Sequence, residues 1–546
     1  MPVTLDHFVR AAADIAAHGD NDMLPFDIET RFIADNQQEL AEIAYDYFQR
    51  LERDSVENNK NLIGGLTVFN ERLLAPAGPS GFRTATKIHP FWNLYFNGLG
   101  IAVADALYAL RHSAAWSYRF LPDGGEELFD RESSWRAFRE STATVARDSA
   151  DGVVVVQTDI ASFYEHISHH YLENHLTDIF NDQGRVAKQI VGLLAKFSGG
   201  RSFGLPVGGQ GARVLAELML QPIDRELTVL NLNWSRYVDD YVVVATSSEN
   251  AYGSLSKLSH ALGDYGLNLS RNKTSILSAK HYADYVSAQL GGDDDEASRL
   301  REIDVYFDPY SDTAIEEYDS LRDTVESLQV QKLLNRELEK SLPDTFLVTQ
   351  IARTLRLQTP ELAVHLIVTL LGSGNLHAFR ASWSSIMRGV SSLRSNEQFI
   401  AIFPNIDVLL DQVPSHSPHL LQAEANLVHY LRALRFSRTD ARAIFVRRIY
   451  DETRSETVRR TCIDCWRNWP DRPSFTMLRN RWNQLSPESQ RLVWLGSYSM
   501  GDEGEGLRRQ FLNNTDTSWL LGVERQNARR FSAVYRAWCA RVQNAI

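Results

Sequence analysis

The sequence predicts an α+β half followed by an all-helical half. Strand-like and helical segments alternate up to about residue 290 and include a hairpin, which is typical of an α+β fold. From about residue 312, apolar residues recur at helical spacing in one segment after another, with short polar breaks between them. An acidic, glycine-containing stretch at 291–296 separates the two halves. We therefore expect a linker at 291–311 and an array of stacked helix pairs at 312–546.

Composition excludes several classes of protein. The chain has 546 residues, of which 44% are hydrophobic and 23% are charged, as in ordinary globular proteins. No apolar run approaches the roughly 20 residues of a membrane-spanning helix, and the first residues lack the features of a signal peptide. Three cysteines cannot form a disulfide framework, and we interpret Cys462 and Cys465 as buried thiols rather than a metal or redox site. We expect a protein of the reducing cytoplasm with no membrane partner.

Charge is unevenly distributed along the chain. The net charge is −12, yet the region from Leu431 onwards is rich in arginine, contains no lysine and is locally positive. Arginine favours planar, bidentate contacts with phosphate or carboxylate groups. Two interpretations stay open: these arginines bind nucleic acid, or they pair with acids on neighbouring helices or on another subunit.

The elements of the first half follow one another in a definite order. Helical spacing predicts helices before about residue 60, and the cluster Pro76–Gly81 predicts a turn between two short strands. A long helical pattern follows His89 and Pro90. Further along we expect a strand at 152–158, helices at 163–180, 185–197, about 211–229 and 250–265, and a hairpin of two strands at 234–245.

Two adjacent carboxylates stand at the turn of the predicted hairpin, in the sequence Tyr237-Val238-Asp239-Asp240. Neighbouring buried carboxylates repel one another unless a cation neutralises them, so this pair indicates a metal site. A solvated turn is the alternative, because aspartate is common in turns.

A third carboxylate, Asp159, ends the strand predicted upstream. A carboxylate at the end of one strand can converge with hairpin carboxylates across an antiparallel sheet. Three carboxylates suit two Mg²⁺ ions, with Mn²⁺ as an alternative, because these ions take oxygen ligands and keep positions for substrate phosphates. Two such ions can bind the attacking hydroxyl and the leaving pyrophosphate of a nucleotidyl transfer.

Two further segments complete a series of motifs. The glycine-rich loop Gly204–Gly211 permits close approach of the backbone to a ligand, and Lys273 follows the segment Gly266–Leu269, which we expect to be a short strand. Asp159, this loop, the Tyr-x-Asp-Asp turn and the Lys273 segment resemble, in order and spacing, motifs A to D of reverse transcriptases. The resemblance implies a right-hand polymerase core.

Segments upstream of these motifs narrow the resemblance. Gly81-Phe82-Arg83 and Trp116-Ser117-Tyr118-Arg119 are similar to segments of bacterial abortive-infection and defence-associated reverse transcriptases. That group carries a HEAT-like helical-repeat domain after the polymerase core. The resemblance covers about residues 60–290 by motif and residues 300–546 by architecture alone. It implies N-terminal helices and fingers at 1–150, a palm at 151–290 and an α-helical repeat domain at 312–546.

The resemblance also implies a role for each matching acidic or basic residue of the palm. Asp159 and Asp239 would bridge two metal ions, and Asp240 would be a weaker ligand. The Ile160 carbonyl is the expected additional oxygen. Lys273 matches a residue that stabilises the departing pyrophosphate.

A second group of matching residues would bind the incoming nucleotide. Tyr164 stands at the position of a gate whose ring excludes the 2′-hydroxyl of ribonucleotides. Arg83 matches the fingers arginine that neutralises the triphosphate. The residues expected to bind nucleotide are Arg83, Phe163, Tyr164, Pro206, Val207 and Gly208.

The pattern departs from templated reverse transcriptases in two places. Val207 stands where these enzymes usually have a glutamine that shapes the nucleotide and template pocket, and Ala212-Arg213 stands where they have Ser-Pro. The resemblance therefore favours an antiphage DNA polymerase that uses dNTPs without a template, in some relatives with a protein hydroxyl as primer. Its expected partners are dNTP, the single-stranded DNA product and further copies of the chain, in rings of about three to six subunits.

Two alternatives remain open. The first is a reverse transcriptase that copies a dedicated non-coding RNA. The second is an inert nucleic-acid-binding scaffold whose helical array captures a partner. The complete set of three carboxylates argues against the scaffold, because an inert site has no reason to keep three acids whose burial is unfavourable.

Overall fold

The structure is a computed structural model of the chain. It describes residues 2–58, 62–125, 127–130, 132–150, 152–182, 184–290, 300, 329–520 and 523–542. Apart from residue 300, the predicted linker at 291–311 lies outside the described residues, as does 312–328 of the predicted helical array.

The first elements are three helices, a two-stranded hairpin and a long buried helix. Their bounds are α1 Leu5–His18, α2 Ile28–Ala34, α3 Gln37–Asn58, β1 Asn70–Ala77, β2 Gly81–Ile88 and α4 Pro90–Leu107. The Asp27 carboxylate caps α2 by accepting hydrogen bonds from the N–H groups of Glu29 and Thr30. Proline begins α4, where no helical hydrogen bond is lost. The predicted turn between two short strands is confirmed.

A four-stranded antiparallel sheet forms the centre of the region up to residue 290. Its strands are β3 Val154–Asp159, β4 Asn233–Tyr237, β5 Asp240–Ala245 and β6 Ser275–Ser278, in the order β4-β5-β3-β6. The helices of this region are α5 Trp135–Arg147, α6 Phe163–His166, α7 His169–Phe180, α8 Arg185–Phe197, α9 Gln210–Val229, α10 Ser248–Gly263 and α11 Ala279–Leu290. Alternation along β3 buries both faces, because Val155 packs towards α5 and α11 while Val156 joins the main core.

Two local predictions were wrong. The helix predicted over 163–180 is broken into α6 and α7, because Ser168 pairs with Phe203 of the approach to the glycine-rich loop. The strand expected before Lys273 is replaced by an isolated bridge between Ile160 and Leu269. Strand β6 instead follows Lys273, which lies in the turn leading into it.

Helices make up the described second half. They are α12 Val330–Leu338, α13 Thr345–Arg353, α14 Pro360–Leu371, α15 Asn375–Ala378, α16 Trp383–Arg394, α17 Phe403–His416, α18 Glu424–Leu434, α19 Asp440–Glu452, α20 Glu456–Asn468, α21 Arg472–Asn480, α22 Pro487–Gly496, α23 Gly501–Ser518 and α24 Arg525–Val542. Helices α13, α16, α18, α20 and α22 lie side by side in one layer. This layer is compatible with stacked helix pairs, and a regular repeat stays a prediction.

The two halves share one hydrophobic core. Phe32 of α2 packs against Phe531, Tyr535 and Trp538 of α24, with ring centroids between 4.8 and 5.8 Å apart. The second half therefore folds back onto the N-terminal helices.

Buried charges also join the halves. Glu29 forms an ion pair with Arg460 of α20 at 2.8 Å and accepts a hydrogen bond from Arg491 Nε of α22 at 2.6 Å, and all three side chains are buried. The Asp27 carboxylate pairs with Lys87 of β2 at 2.8 Å within the first half and with Arg460 of the second half at 3.5 Å. For these members of the arginine-rich region, the interpretation as ion-pair partners is confirmed.

Two expectations about the chain as a whole can be compared directly with the structure. Cys462, Cys465 and Cys539 are buried free thiols, which confirms the interpretation of the two closely spaced cysteines. Among the described helices, none is both long enough and apolar enough to cross a membrane.

Candidate active site

The three aspartates stand at one edge of the central sheet. Asp159, the last residue of β3, pairs in register with Asp240, the first residue of β5. Asp239 is the turn residue directly before Asp240, and its carbonyl accepts a hydrogen bond from the Ile160 N–H at 3.2 Å. The ladder between β3 and β5 thus brings together carboxylates from two segments that are far apart in the chain.

The turn that carries Asp239 is strained. Val238 has a φ of 55°, a left-handed conformation that a β-branched residue rarely adopts. In a two-residue hairpin turn, a positive φ at the first central position normally calls for glycine. Hydrogen bonds hold both of its peptide groups: the Val238 N–H donates to Ser117 Oγ at 2.9 Å, and Arg236 Nη1 donates to the Val238 carbonyl at 3.2 Å. Strain of this kind persists only where the surroundings enforce it.

Burial and mutual repulsion raise the pKa values of the hairpin carboxyls. Burial, followed by the charges of Asp159 and Asp240, raises the pKa of Asp239 to about 7. Burial and the charge of Asp159 raise the pKa of Asp240, while Lys273 and Arg139 oppose that shift. Both raised pKa values mean that ionisation of all three carboxyl groups at once is unfavourable unless a cation lies beside them.

Lys273 supplies one cation to the group. Its Nζ lies 2.8 Å from Asp159 Oδ2, and this hydrogen bond raises the pKa of Lys273. The lysine side chain is 65% exposed, whereas that of Asp159 is 8% exposed. The ammonium group therefore reaches the buried carboxylate from the solvent side, where a ligand would enter.

The aspartates fit a metal ion that is shared with a substrate. Within the part of the chain that the structure describes, no group of three or more His, Cys, Asp or Glu residues is arranged to hold a metal ion by itself. Mg²⁺ at phosphate-transfer sites is typically bound by one or two carboxylates and completed by water and substrate phosphates. Asp159, Asp239 and Asp240 match this requirement, and their mutual repulsion is what a divalent cation would relieve.

The glycine-rich loop is fixed from two sides. The Val207 carbonyl accepts hydrogen bonds from the Thr86 N–H of β2 and from Asn21 Nδ2, each at 3.2 Å. Gly208 has a φ of 125°, and a Cβ there would lie 2.2 Å from Asn21 Nδ2, so this position requires glycine. The Gly208 carbonyl accepts from the Asp22 N–H at 3.2 Å. An N-terminal segment and the β1–β2 hairpin thus hold the loop in place.

Tyr164 and Phe163 follow Asp159 on the short helix α6. Phe163 is buried in the core and packs edge-on against Tyr164, with ring centroids 5.7 Å apart. This position makes Phe163 a support for Tyr164, and its contact with a nucleotide stays a prediction. Burial raises the pKa of Tyr164 well above its usual value, and the charge of Asp239 adds to the shift. The Leu205 N–H donates to the Tyr164 carbonyl at 2.8 Å, which ties α6 to the loop.

Arg213, the residue that departs from the templated pattern, lies just beyond the loop. Its guanidinium lies over the Tyr118 ring, 5.5 Å from the centroid. It pairs with Asp22 at 2.8 Å and donates to Gln210 Oε1 at 3.2 Å. The positive charge of Arg213 lowers the pKa of Tyr164 and so opposes the effect of burial. Arg213 therefore fills the space between the N-terminal segment and the two tyrosines.

The remaining predicted nucleotide residues lie on the hairpin and the loop. Arg83 is exposed near the start of β2, opposite Ala75 of β1 and three positions before Thr86. Pro206 is buried next to Val207. The hydrogen bond from Thr86 to the loop connects these two elements, so Arg83 is carried by the same strand that holds the loop.

Four buried residues that sequence reasoning assigned no role form a network behind the aspartates. Arg236 donates to Asp224 through two hydrogen bonds of 2.8 and 2.7 Å and pairs with Glu217 at 2.9 Å. Glu217 also accepts from Ser117 and from Arg111. Ser117 lies in a segment that carried the family resemblance, and this was the signal in the sequence that could have pointed to it. The meeting of Ser117 and Glu217 with Arg236 joins three distant segments and could not be deduced from spacing.

Comparisons with known proteins bear on the same part of the chain. Residues 108–290 match the family model described as reverse transcriptase (RNA-dependent DNA polymerase). A search among curated proteins found no match. Among solved structures, apo telomerase from Candida tropicalis is similar over 71% of this chain and 73% of its own, with 10% identity and a TM-score of 0.31, which is too low to support an argument.

The family match encloses the central sheet, the glycine-rich loop and all three aspartates. Motif order in the sequence and strand register in the structure agree with it. Residues 108–290 are therefore similar in sequence to a reverse-transcriptase domain, and this similarity covers the whole candidate site.

Proposed function

We propose that this chain is a DNA polymerase that adds dNMP units from dNTPs by two-metal-ion catalysis. The observation that carries the proposal is the pairing of Asp159 with Asp240 at the sheet edge, beside Asp239 with its raised pKa. Three acids in mutual repulsion are unfavourable for stability, so their retention points to a cation-dependent task.

Each polar group near the sheet edge has a distinct part in the proposed reaction. Asp159 and Asp239 would hold the ions, Mg²⁺ or alternatively Mn²⁺, with Asp240 and the Ile160 carbonyl as further oxygen ligands. When bound, two such ions stabilise the attacking hydroxyl and the leaving pyrophosphate. Lys273, which reaches the carboxylates from solvent, would neutralise charge on the departing phosphates.

Nucleotide binding would use the elements around the loop. Tyr164 is held by Phe163 from behind, so its ring is a rigid wall against which a deoxyribose fits and a 2′-hydroxyl clashes. Arg83, exposed on the fingers hairpin, would pair with the triphosphate. The loop at Pro206–Gly208 would contact the base and sugar. Together they favour dNTP over rNTP.

Arg213 supports synthesis without a template. Templated relatives have Ser-Pro at Ala212-Arg213, whereas here a large side chain is anchored by Asp22 and stacked on Tyr118. A cation fixed by two partners beside the nucleotide loop occupies room that a template strand would need. A templating non-coding RNA is the competing arrangement, and it is an outcome of the test below.

The proposed setting is antiphage defence by abortive infection in a bacterial cytoplasm. Its support is the resemblance of the segments around Arg83 and Ser117 to defence-associated enzymes. The single-stranded DNA product, a protein hydroxyl as primer and an assembly of about three to six subunits belong to the same proposal.

The proposal is tested with the purified full-length chain, Mg²⁺ and each labelled dNTP offered singly. We expect incorporation of dNTP in preference to rNTP. Asp159→Ala and Asp239→Ala should each lower it by about a thousandfold, because the charge on the reacting phosphates loses its stabilisation. Asp123→Ala, at an exposed loop position, is the matched control and should retain full activity.

Product analysis separates the alternatives. Label that becomes soluble after protease treatment indicates a protein primer. A product that complements a co-purified RNA and disappears after RNase treatment establishes the templated alternative. Unchanged synthesis in both aspartate variants would overturn the catalytic assignment, and full phage protection by those variants would favour the scaffold.

A further inference from the structure

A short segment before the palm extends the central sheet at its β4 edge. The Arg236 N–H donates to the Ala114 carbonyl, and the Trp116 N–H donates to the Arg236 carbonyl, each at 2.9 Å. Ala115 pairs with Arg236 in parallel orientation. This pairing brings Ser117, whose side chain is fully buried, directly against the turn between β4 and β5.

We infer that Ser117 is a positioning residue for the aspartate-bearing turn and acts through the backbone of Val238. A serine hydroxyl has one proton to donate, and here it is donated to the Glu217 carboxylate. With its proton directed at Glu217, the hydroxyl oxygen has its lone pairs free to accept a hydrogen bond, and it accepts one from the Val238 N–H at 2.9 Å. Glu217 thus sets the orientation of the hydroxyl, and the hydroxyl sets the position of the turn.

The second peptide group of Val238, the one that links it to Asp239, is fixed by Arg236, which donates to the Val238 carbonyl at 3.2 Å. Arg236 is in turn held by Asp224 and Glu217. Glu217 also pairs with Arg111. The buried network therefore contains two positive and two negative side chains, and its net charge is zero: Arg111, Arg236, Glu217 and Asp224. A neutral, well-bonded network is rigid, because any movement would leave a buried charge without its partner.

This arrangement explains how a valine can keep a φ of 55°. Without Ser117, the Val238 N–H would be buried without an acceptor, and the turn would relax towards an unstrained φ. Rotation at Val238 displaces Asp239, the next residue, relative to Asp159. Loss of the hydroxyl should therefore weaken metal binding more than it weakens the fold. The inference rests on the proposed metal-dependent function.

The test uses four full-length variants: Ser117→Ala, Ser117→Thr, Val238→Gly and the double variant Ser117→Ala with Val238→Gly. Mn²⁺ binding measured by electron paramagnetic resonance and kcat for dNTP incorporation are the readouts. Ser117→Ala should weaken Mn²⁺ binding and lower kcat by about tenfold each. Ser117→Thr, which keeps the hydroxyl, should restore most of both. In the Val238→Gly background, where positive φ is unstrained, the loss of the hydroxyl should cost less than about twofold.

Ser532→Ala is the matched control. Ser532 is also fully buried, and its hydroxyl donates to the Thr515 carbonyl at 2.6 Å in the helical half. This variant should lower Tm without changing Mn²⁺ binding. The inference is overturned if Ser117→Ala affects only Tm, as the control does, or if its effect is undiminished in the Val238→Gly background. Absence of incorporation by the wild-type chain would count against the proposed function, while Mn²⁺ binding would still decide the role of Ser117.

Discussion

Asp239 must be charged to bind a metal ion, although its surroundings favour the neutral form. Burial and the neighbouring carboxylates raise its pKa to about 7 in the folded chain, against an ordinary value of 3.8. The folded state therefore binds this proton more tightly than the unfolded state does. The free energy of unfolding therefore falls as pH rises between these values, by about 1.4 kcal/mol per pH unit for this group. We predict that Asp239→Asn stabilises the metal-free chain, by about 3 kcal/mol more at pH 8 than at pH 5.

Urea unfolding of both proteins in EDTA at the two pH values measures this difference. Asp123→Asn is the control, because that side chain is exposed and should show the same stability as wild type at both values. An equal gain for Asp239→Asn at pH 5 and pH 8 would contradict the assigned burial and repulsion.

The loop that carries Val207 and Gly208 depends on a residue from the N-terminal segment of the chain. Asn21 donates to the Thr86 carbonyl at 3.0 Å and to the Val207 carbonyl at 3.2 Å, and its side chain is buried. We predict that Asn21→Ala raises KM for dNTP about fivefold to tenfold with a small change in kcat, because the loop loses its support while the aspartates keep theirs.

Steady-state kinetics with saturating Mg²⁺ provide the measurement. Asn426→Ala is a matched control, since Asn426 is also buried and donates to a backbone carbonyl, that of Leu420 at 2.9 Å, within the helical half. It should lower Tm and leave KM unchanged. A KM effect of equal size in both variants would mean that general destabilisation, not the loop, is responsible.

The shared core and the buried ion pairs make the whole molecule one unfolding unit. Glu29 is the only carboxylate in the described residues that joins Arg460 and Arg491 at once. Replacing it by glutamine leaves the two buried guanidinium groups with only their longer ion pairs, Arg460 with Asp27 at 3.5 Å and Arg491 with Glu488 at 3.8 Å. We predict that Glu29→Gln lowers the free energy of unfolding by about 3 to 5 kcal/mol.

Tryptophan fluorescence and far-UV circular dichroism should follow a single urea transition that shifts as a whole. Glu140→Gln removes an exposed pair with Arg136 at 2.9 Å and should change stability by less than about 0.5 kcal/mol. Two separate transitions, with one of them unaffected by Glu29→Gln, would show that the halves unfold independently.

Local sequence patterns were sufficient to predict the elements whose formation depends on neighbouring residues in the chain. The strand ending at Asp159, the hairpin around Asp239 and the turn at Pro76–Gly81 are signalled by alternation and by turn residues, and all three are present. The break at Ser168 was missed because it depends on pairing with Phe203, a contact made only in the folded chain.

The supports of the site were missed for the same reason. Ser117 and Asn21 are ordinary polar residues in sequence, and their importance arises from partners in other segments. Periodicity reports which face of an element is buried, but it does not report which buried polar groups meet.

The return of the last described helix to the N-terminal helices has a consequence for biosynthesis. Trp538 Nε1 donates to Asp35 Oδ2, a partner 503 positions earlier in the chain. A ribosome adding about 5 to 20 residues per second needs about 25 to 100 s to cover that distance. During this time α2 lacks the aromatic surface on which it packs, and Glu29 lacks both of its arginines. The packing of α2 is therefore completed only after α24 has been made, and α2 stays without its C-terminal partners through most of that period.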